Sequence, residues 1–338
     1  MTCDVHVHFP HASRSQVPAG AAPSRARASL AMRLVLRREV LARGRAAVDS
    51  GSALQYLADC MDQASTASFV VLALDAPRLE DGSEAPSRGY FARNDEVAGF
   101  CAAHRRSLFG ASVHPYRPDA CREVERLAGM GACLVKWLPS YQRIDPASPR
   151  CIPFYDALAH FGLPLLCHTG VEHFLPGGDQ RFNEPARLAL AIEHGVTVIA
   201  AHCGSRLMLH ERCHFEQWST MALEHEHFYG DLSAMVVPVR GAKLRRILEA
   251  PALLSKVVYG SDFPAPSWPW AAAPQVGLRR ARQLARIDNP LERSAAALRS
   301  MGFPEEVFTR ASALLGPRST LSRPATQAPA PPLVARGA

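Results

Sequence analysis

Eight short β-rich segments alternate with helical segments along the chain, and this alternation constrains the fold more than any other feature. Several segments are almost continuous apolar runs, for example FVVLAL and VTVIAAH. Such runs are typical of parallel strands that are buried on both faces of a sheet. The predicted strands are 4–8, 68–74, 108–113, 132–137, 163–168, 197–202, 228–233 and 257–262.

Eight β-then-α units favour a (β/α)₈ barrel of the TIM type over an open, doubly wound α/β sheet. No G-x-G-x-x-G motif follows the first strand, which argues against the commonest dinucleotide-binding version of the open sheet. The chain has 338 residues, and a barrel needs about 250. We therefore predict one barrel domain over 1–315, with a helical insertion after strand 1 at about 10–50. The segment 316–338, rich in Pro, Ala and Ser, is predicted to be a disordered tail.

Five of the eight predicted strands end in a side chain that binds metal ions or carries protons. In a barrel, the carboxyl ends of the strands converge on one face, and the active site lies there. We therefore expect these side chains to meet in one pocket. In chain order they are His6 with His8, Lys136, His168, His202 and Asp262.

The first strand begins the chain with polar residues at every second position. Because side chains on a strand point alternately to its two faces, Asp4, His6 and His8 are predicted to share one face. Val5 and Val7 are predicted to share the other. Histidine is the commonest metal ligand, and aspartate often orients such a ligand from behind. We therefore interpret Asp4 as a supporting residue.

The fifth and sixth strands are also expected to alternate between the two faces of the sheet. If His168 and His202 face the pocket, their neighbours Cys167 and Cys203 should pack into the layer between barrel and helices. Ala201 is likewise expected to point away from the pocket.

The strand-end set has the chemistry of a catalytic metal site. A catalytic divalent ion takes three or four nitrogen or oxygen ligands from the protein and keeps a position for water. His6, His8 and His168 can supply imidazole nitrogens, and Asp262 a carboxylate. The ion lowers the pKa of bound water to about 7. His202 or Asp262 can then move the proton.

These motifs resemble the amidohydrolase superfamily. The likeness consists of D-x-H-x-H on the first strand, H-T-G on the fifth, A-H-C-G on the sixth and G-S-D-F-P on the eighth. It is closer to the amidohydrolase-related branch, which includes aminocarboxymuconate-semialdehyde decarboxylase and dicarboxylate lactonases. The resemblance implies one barrel over most of the chain and a metal, usually zinc. Its ligands would be His6, His8, His168 and Asp262, with His202 as the catalytic acid and base.

Lys136 leaves the number of metal ions open. It lies where binuclear members of the superfamily carry a carboxylated lysine that bridges two ions. Its surroundings, VKWLPS, also resemble the V-K-L-H-P stretch of the related branch, in which the lysine need not be a ligand. One Zn²⁺ per chain is favoured, and two ions or another divalent metal stay open. The last helix resembles that of the family, although Arg310, Ala311 and Ser312 replace its usual Asn-Ala pair.

Four further residues are weaker candidates for contact with substrate. His114 follows the third strand and either faces the pocket or caps the turn before Pro115. Glu172, His173 and Arg181 lie on the loop after the fifth strand, and Arg181 could pair with a substrate carboxylate.

Charge and cysteine content narrow the class of protein. The net charge of +7 is concentrated at 25–49 and in the tail from residue 317, so the body is nearly neutral. This favours a small-molecule substrate over nucleic acid. No apolar run is long enough for a membrane helix, and no secretory signal pattern begins the chain. Nine scattered cysteines without C-x-x-C predict free thiols and a cytoplasmic location. A homodimer stays open.

Three functional hypotheses remain. The first is hydrolysis of a small amide, lactone or ester by metal-activated water. The second is non-oxidative decarboxylation of a small unsaturated or aromatic acid, which would use the same ligand set. The third is a non-catalytic metal-binding protein, which is disfavoured because no ligand of the set is missing.

Overall fold

A computed structural model describes residues 1–10, 50–85, 91–172, 175 and 178–316. Within them, eight parallel strands form one sheet in chain order from β1 to β8. The predicted (β/α)₈ barrel is confirmed. The strands are β1 Cys3–His8, β2 Ser68–Leu72, β3 Ser107–Ala111, β4 Leu134–Trp137, β5 Leu165–His168, β6 Val198–Ala201, β7 Phe228–Asp231 and β8 Val257–Val258.

The barrel closes where the chain beyond β8 meets β1. The Val5 amide donates to the Tyr259 carbonyl oxygen at 3.1 Å, and the Asp262 amide donates to the His6 carbonyl oxygen at 2.8 Å. Strand β8 is much shorter than predicted because the chain leaves regular strand geometry after Val258, and Asp262 has a φ of 64°. The irregular segment still closes the barrel.

Helices separate the strands and pack around the barrel. The predicted insertion and tail lie almost entirely outside the described residues, since 11–49 and 317–338 are not described. Among the described helices, none is both long and apolar enough to cross a membrane. The described α-helices are α1 Ser50–Gln63, α2 Asn94–Ala103, α3 Ala120–Gly129, α4 Pro139–Gln142, α5 Ile152–His160, α6 Ala189–Glu193, α7 Phe215–Glu224, α8 Gly241–Glu249, α9 Pro251–Leu254, α10 Ala273–Val276, α11 Leu278–Leu284, α12 Pro290–Ser300 and α13 Glu305–Leu314.

Apolar side chains fill two separate layers. One lies inside the barrel and the other between the strands and the helices, and residues along a strand alternate between them. Cys167 and Cys203 both belong to the barrel–helix layer, as predicted. The interior layer comprises Cys3, Val5, Val70, Leu72, Leu108, Cys133, Leu134, Leu166, Ile199, Ala201, Val258, Ala311 and Leu315.

Strand β1 does not alternate as predicted. Its register against β2 shifts between Asp4 and Val7. Val5 therefore belongs to the interior layer and Val7 to the barrel–helix layer, so the prediction that they share a face is wrong. An irregularity of this kind re-aims the side chains that follow it, and here those include His6 and His8.

The last helix, α13, closes the end of the barrel opposite the predicted pocket. The Arg310 guanidinium donates to the carbonyl oxygens of Leu254 and Val257, and Ala311 enters the interior layer. The Ser312 hydroxyl donates to the Met1 carbonyl oxygen at 2.7 Å. These contacts give each of the three unusual residues of this helix a role in the packing.

Candidate metal centre

Three metal-competent atoms form a compact triangle where β1 meets the end of β8. His6 Nε2, His8 Nε2 and Asp262 Oδ1 are 3.2 Å apart in each pair. Zinc ligands at about 2.0–2.2 Å in a tetrahedron are roughly 3.3–3.6 Å apart, so the triangle is close to the face of such a polyhedron. Among the described residues, these three form the group with the spacing of a metal site.

The Asp262 carboxylate is ionised in this setting. Its backbone has a φ of 64°, which turns the side chain back toward β1. Burial would raise the pKa of Asp262, but neighbouring His6 and His202, with a hydrogen bond from His8, outweigh burial and hold the pKa well below its ordinary value. The residue is therefore a charged oxygen donor, as a divalent cation requires.

His6 presents its Nε2 lone pair to the triangle. Its Nδ1 lies 2.7 Å from Asp231 Oδ2. Because an ionised carboxylate can only accept, we assign the imidazole proton to Nδ1 and the lone pair to Nε2. Burial lowers the pKa of His6, which favours the neutral ring. A neutral ring with this tautomer is a metal ligand.

Lys136 lies against the same nitrogen. Its Nζ is 2.9 Å from His6 Nε2, and the residue is completely buried on β4. Burial also lowers the pKa of Lys136. One lone pair cannot both accept a hydrogen bond from Lys136 and bind a metal ion. The lysine therefore has to release His6 when an ion binds there.

His168, the fourth predicted ligand, does not belong to the triangle but lies against His202. It ends β5, and its ring centroid is 4.9 Å from that of His202. His168 Nε2 is buried and has no hydrogen-bond partner among the described residues. Glu172 Oε2 lies 3.7 Å from this nitrogen. A buried polar atom without a partner is unfavourable, and a metal ion or a substrate atom would satisfy it.

His202 reaches the pocket through an unusual backbone. Ala201 belongs to the interior layer, whereas the sequence predicts only that it points away from the pocket that His202 faces. Regular alternation would then send His202 outward, but its φ of 61° returns the ring to the pocket, 5.5 Å from the His6 ring. His202 Nδ1 donates to the Ser233 carbonyl oxygen at 2.8 Å, which leaves Nε2 as an acceptor. Burial lowers the pKa of His202 to about 3.

Asp231, at the end of β7, is the residue that sequence analysis missed. Besides the bond to His6, its Oδ1 accepts from the backbone amides of His202 at 2.8 Å and Ser233 at 3.0 Å. The hydrogen bonds with His6 and Ser233 and the nearby His202 outweigh burial and lower the pKa of Asp231. The signal was present: FYGDLS places an acidic residue at a strand end, the position at which five other strands carry a side chain that binds metal ions or carries protons.

Asp4 holds backbone rather than a ligand ring. Its Oδ1 accepts from the amides of His6 at 3.0 Å and Ser261 at 2.9 Å, which joins β1 to the segment after β8. Burial raises the pKa of Asp4 to about 7. Asp4 thus supports the backbone of β1, which carries the ligands. The residue that contacts the His6 ring is Asp231.

The loop after β5 brings Glu172 close to the site. The carboxylate is buried, and its Oε1 accepts from the Leu175 amide at 3.1 Å. Buried Asn183 fixes the base of the loop by bonding Ser140 Oγ and the Gly170 carbonyl oxygen, both at 2.9 Å. This arrangement keeps Glu172 beside His168.

The other weak candidates are arranged differently. His114 accepts from the Tyr116 amide through Nδ1 at 3.1 Å, and its Nε2 donates to the Gln142 carbonyl oxygen at 2.8 Å. Both ring nitrogens therefore hold a turn. The Arg181 side chain is 74% exposed and pairs with Asp179. His173 lies outside the described residues.

Comparison with known proteins finds a matching family and structures of the same fold. An amidohydrolase family model matches residues 3–300. An uncharacterized TIM-barrel protein from Bordetella bronchiseptica shares 14% identity over 92% of this chain and 99% of its own, with a TM-score of 0.55. A proposed 2-pyrone-4,6-dicarboxylic acid hydrolase from Pseudomonas putida shares 12% over 93% and 97%, with a TM-score of 0.52. At these identities the two structures show a common fold.

A 5-carboxyvanillate decarboxylase from Sphingomonas paucimobilis is also similar, with 16% identity over 91% of this chain and 98% of its own and a TM-score of 0.46. No curated protein sequence matches the chain significantly.

Proposed function

The chain belongs to the amidohydrolase family, and from this premise we propose that it is a metal-dependent hydrolase of a small-molecule amide, lactone or ester. The observation that carries the proposal is the 3.2 Å triangle of His6, His8 and Asp262 at the carboxyl ends of the strands. The unpartnered nitrogen of His168 and the acceptor nitrogen of His202 support it, and the His202 ring lies 5.5 Å from the His6 ring and 4.9 Å from the His168 ring.

The proposed cofactor is one Zn²⁺ per chain. Its ligands would be His6, His8 and Asp262, with His168 as the fourth. A divalent ion held there supplies a Lewis acid that activates water and polarises a carbonyl group. The two-nitrogen, one-carboxylate triangle also suits other divalent transition metals, so metal analysis has to identify the ion.

The chain itself would move the proton and position the substrate. His202 Nε2 is a neutral acceptor in the pocket and would take a proton from water, then return it to the leaving group. The Asp262 carboxylate would stay ionised and stabilise the positive charge of the protonated His202 ring. Glu172, beside His168, would contact the polar part of a substrate. We expect the protein to act in the cytoplasm on a small molecule; all nine cysteines are free thiols.

The test measures metal and reaction type on one preparation. Elemental analysis should find close to one transition metal per chain. A panel of lactones, esters and amides, matched with aromatic and unsaturated acids, separates the two enzyme hypotheses. Hydrolysis releases an acid and an alcohol or amine, whereas decarboxylation releases CO₂. Turnover with CO₂ release would replace hydrolysis by decarboxylation. Absence of any bound metal after reconstitution would overturn both.

Lys136 provides a separate prediction about metal number. Lys136→Met removes the amine but keeps an unbranched side chain of similar length in the buried site. With one ion per chain, metal stoichiometry should stay near one, and affinity should not fall, because Lys136 competes for His6 Nε2. Elemental analysis and metal titration measure both. Intact mass showing a carboxylated Lys136, or a drop in the variant from two ions to one, would establish a binuclear site.

A further inference from the structure

One carboxylate contacts both the candidate metal ligand and the candidate acid–base residue. Asp231 Oδ2 bonds the His6 ring, while Oδ1 bonds the amide of His202. Ser233 completes the arrangement: its hydroxyl donates to Asp231 Oδ1, and its carbonyl oxygen accepts from His202 Nδ1. Asp231 is completely buried, so water does not compete for these bonds.

The surroundings leave space for this carboxylate and no more. A Cβ atom added to Gly260 would lie 2.9 Å from His6 Cβ and 3.4 Å from Asp231 Oδ2. A Cβ atom on Gly230 would lie 2.6 Å from Cys203 Sγ. Gly230, on β7, therefore permits close approach to Cys203, and Gly260, after β8, permits close approach to His6 and Asp231.

We propose that Asp231 is the positioning residue that sets the tautomer of His6 and holds His202 in its left-handed conformation, so that one side chain orients both halves of the site. The first role follows from the acceptor-only carboxylate, which places the proton on His6 Nδ1 and directs Nε2 to the ion. The second follows from its bond to the His202 amide, since a φ of 61° is unfavourable for a residue with a side chain. The inference rests on the proposed metal-dependent function.

Two variants test the first role, one that disturbs the bond to His6 and one that leaves it in place. Asp231→Asn keeps the shape and an oxygen for the amides of His202 and Ser233, but it presents an NH₂ group to His6 Nδ1. The ring should then move its proton to Nε2, and metal affinity should fall about 10- to 100-fold, as for other outer-shell changes. Ser233→Ala keeps the bond between Asp231 and His6, removes only a hydroxyl, and should leave metal affinity within about twofold of that of the unaltered protein.

The experiment combines a metal titration with NMR of the metal-free protein. Competition with a chelator gives the zinc affinity of the full chain and both variants. Ring ¹⁵N shifts of His6, assigned with His6→Gln, should show an Nδ1–H ring in the unaltered protein and an Nε2–H ring in Asp231→Asn. Unchanged affinity and an unchanged tautomer in Asp231→Asn would overturn the positioning role.

The same data distinguish the two proposals. If the unaltered protein binds no metal but the tautomer still changes in Asp231→Asn, the positioning role stands and the proposed function fails. If metal binds with equal affinity in all three proteins, the function stands and the positioning role fails. Circular dichroism and thermal unfolding of each variant confirm that the barrel is intact; a variant that unfolds is replaced by Asp231→Ala, which is smaller than aspartate, removes the acceptor from His6 Nδ1 and should also lower metal affinity.

Discussion

His8→Ala is expected to remove most of the bound metal and nearly all turnover. His8 supplies one corner of the 3.2 Å triangle, and its side chain is 24% exposed, so its removal leaves little void in the core. The loss of metal affinity should exceed the approximately 10- to 100-fold that follows loss of an outer-shell partner. Elemental analysis after gel filtration, with zinc titration of the stripped protein, measures the loss.

Two further proteins make this result specific. His6→Ala removes a second corner and should give the same loss, but His6 is completely buried, so its thermal unfolding has to be compared as well. His225→Ala is the matched control, because His225 precedes β7 at the opposite end of the barrel. It should keep full metal content. Full occupancy in His8→Ala would show that the triangle is not the metal site.

The unfolding temperature provides an independent measure of metal binding in the same variants. A ligand that binds only the folded state at 1,000 times its dissociation constant stabilises it by about 4 kcal/mol. Zinc should therefore raise the unfolding temperature of the unaltered protein and of His225→Ala. It should have little effect on His8→Ala.

The barrel could be predicted because its evidence is repeated along the chain. Eight apolar segments each carry the signature of a buried strand, and all eight strands occur within a few residues of the predicted positions. Convergence of the strand ends then follows from the architecture alone. That is why Lys136 and Asp262 contact His6 of β1, and His168 contacts His202, although these residues are far apart in sequence.

The direction of single side chains was less predictable where the backbone departs from regular strand geometry. Alternation placed Val5 and Val7 on one face, but the register of β1 shifts between them. Alternation also placed Ala201 away from the pocket that His202 faces. Ala201 belongs to the interior layer, and the left-handed backbone of His202 turns its ring back toward His6. Both departures are stabilised by contacts with other strands, and a local pattern does not contain those contacts.

Asp231 shows a third limit. A carboxylate at the end of a strand was visible in FYGDLS, but no metal motif surrounds it. Its importance comes from the two residues that it joins, and they lie on β1 and just after β6. A rule that treats every polar strand end of a predicted barrel as a candidate would have included it.

His202→Asn is expected to keep the metal while losing about 10²- to 10⁴-fold in turnover, the range of a general acid–base residue. Asparagine tolerates the left-handed backbone, and its amide can donate to the Ser233 carbonyl oxygen in place of Nδ1. The fold around the residue should therefore persist. The substitution removes the Nε2 acceptor of His202, whose ring centroid is 5.5 Å from that of His6. Turnover and metal content have to be measured on one preparation.

If His202 is a metal ligand and not the acid–base residue, metal content and turnover should change differently in His202→Asn. If His202 instead binds a second ion, together with Lys136 or His168, His202→Asn will lose metal in step with turnover, and excess zinc will restore part of both. If it moves a proton, excess zinc will change neither. The bond from His202 Nδ1 to the Ser233 carbonyl oxygen is compatible with both roles, because Nε2 is the free nitrogen in each. The number of ions lost therefore decides between proton transfer and metal binding, and the rate alone does not.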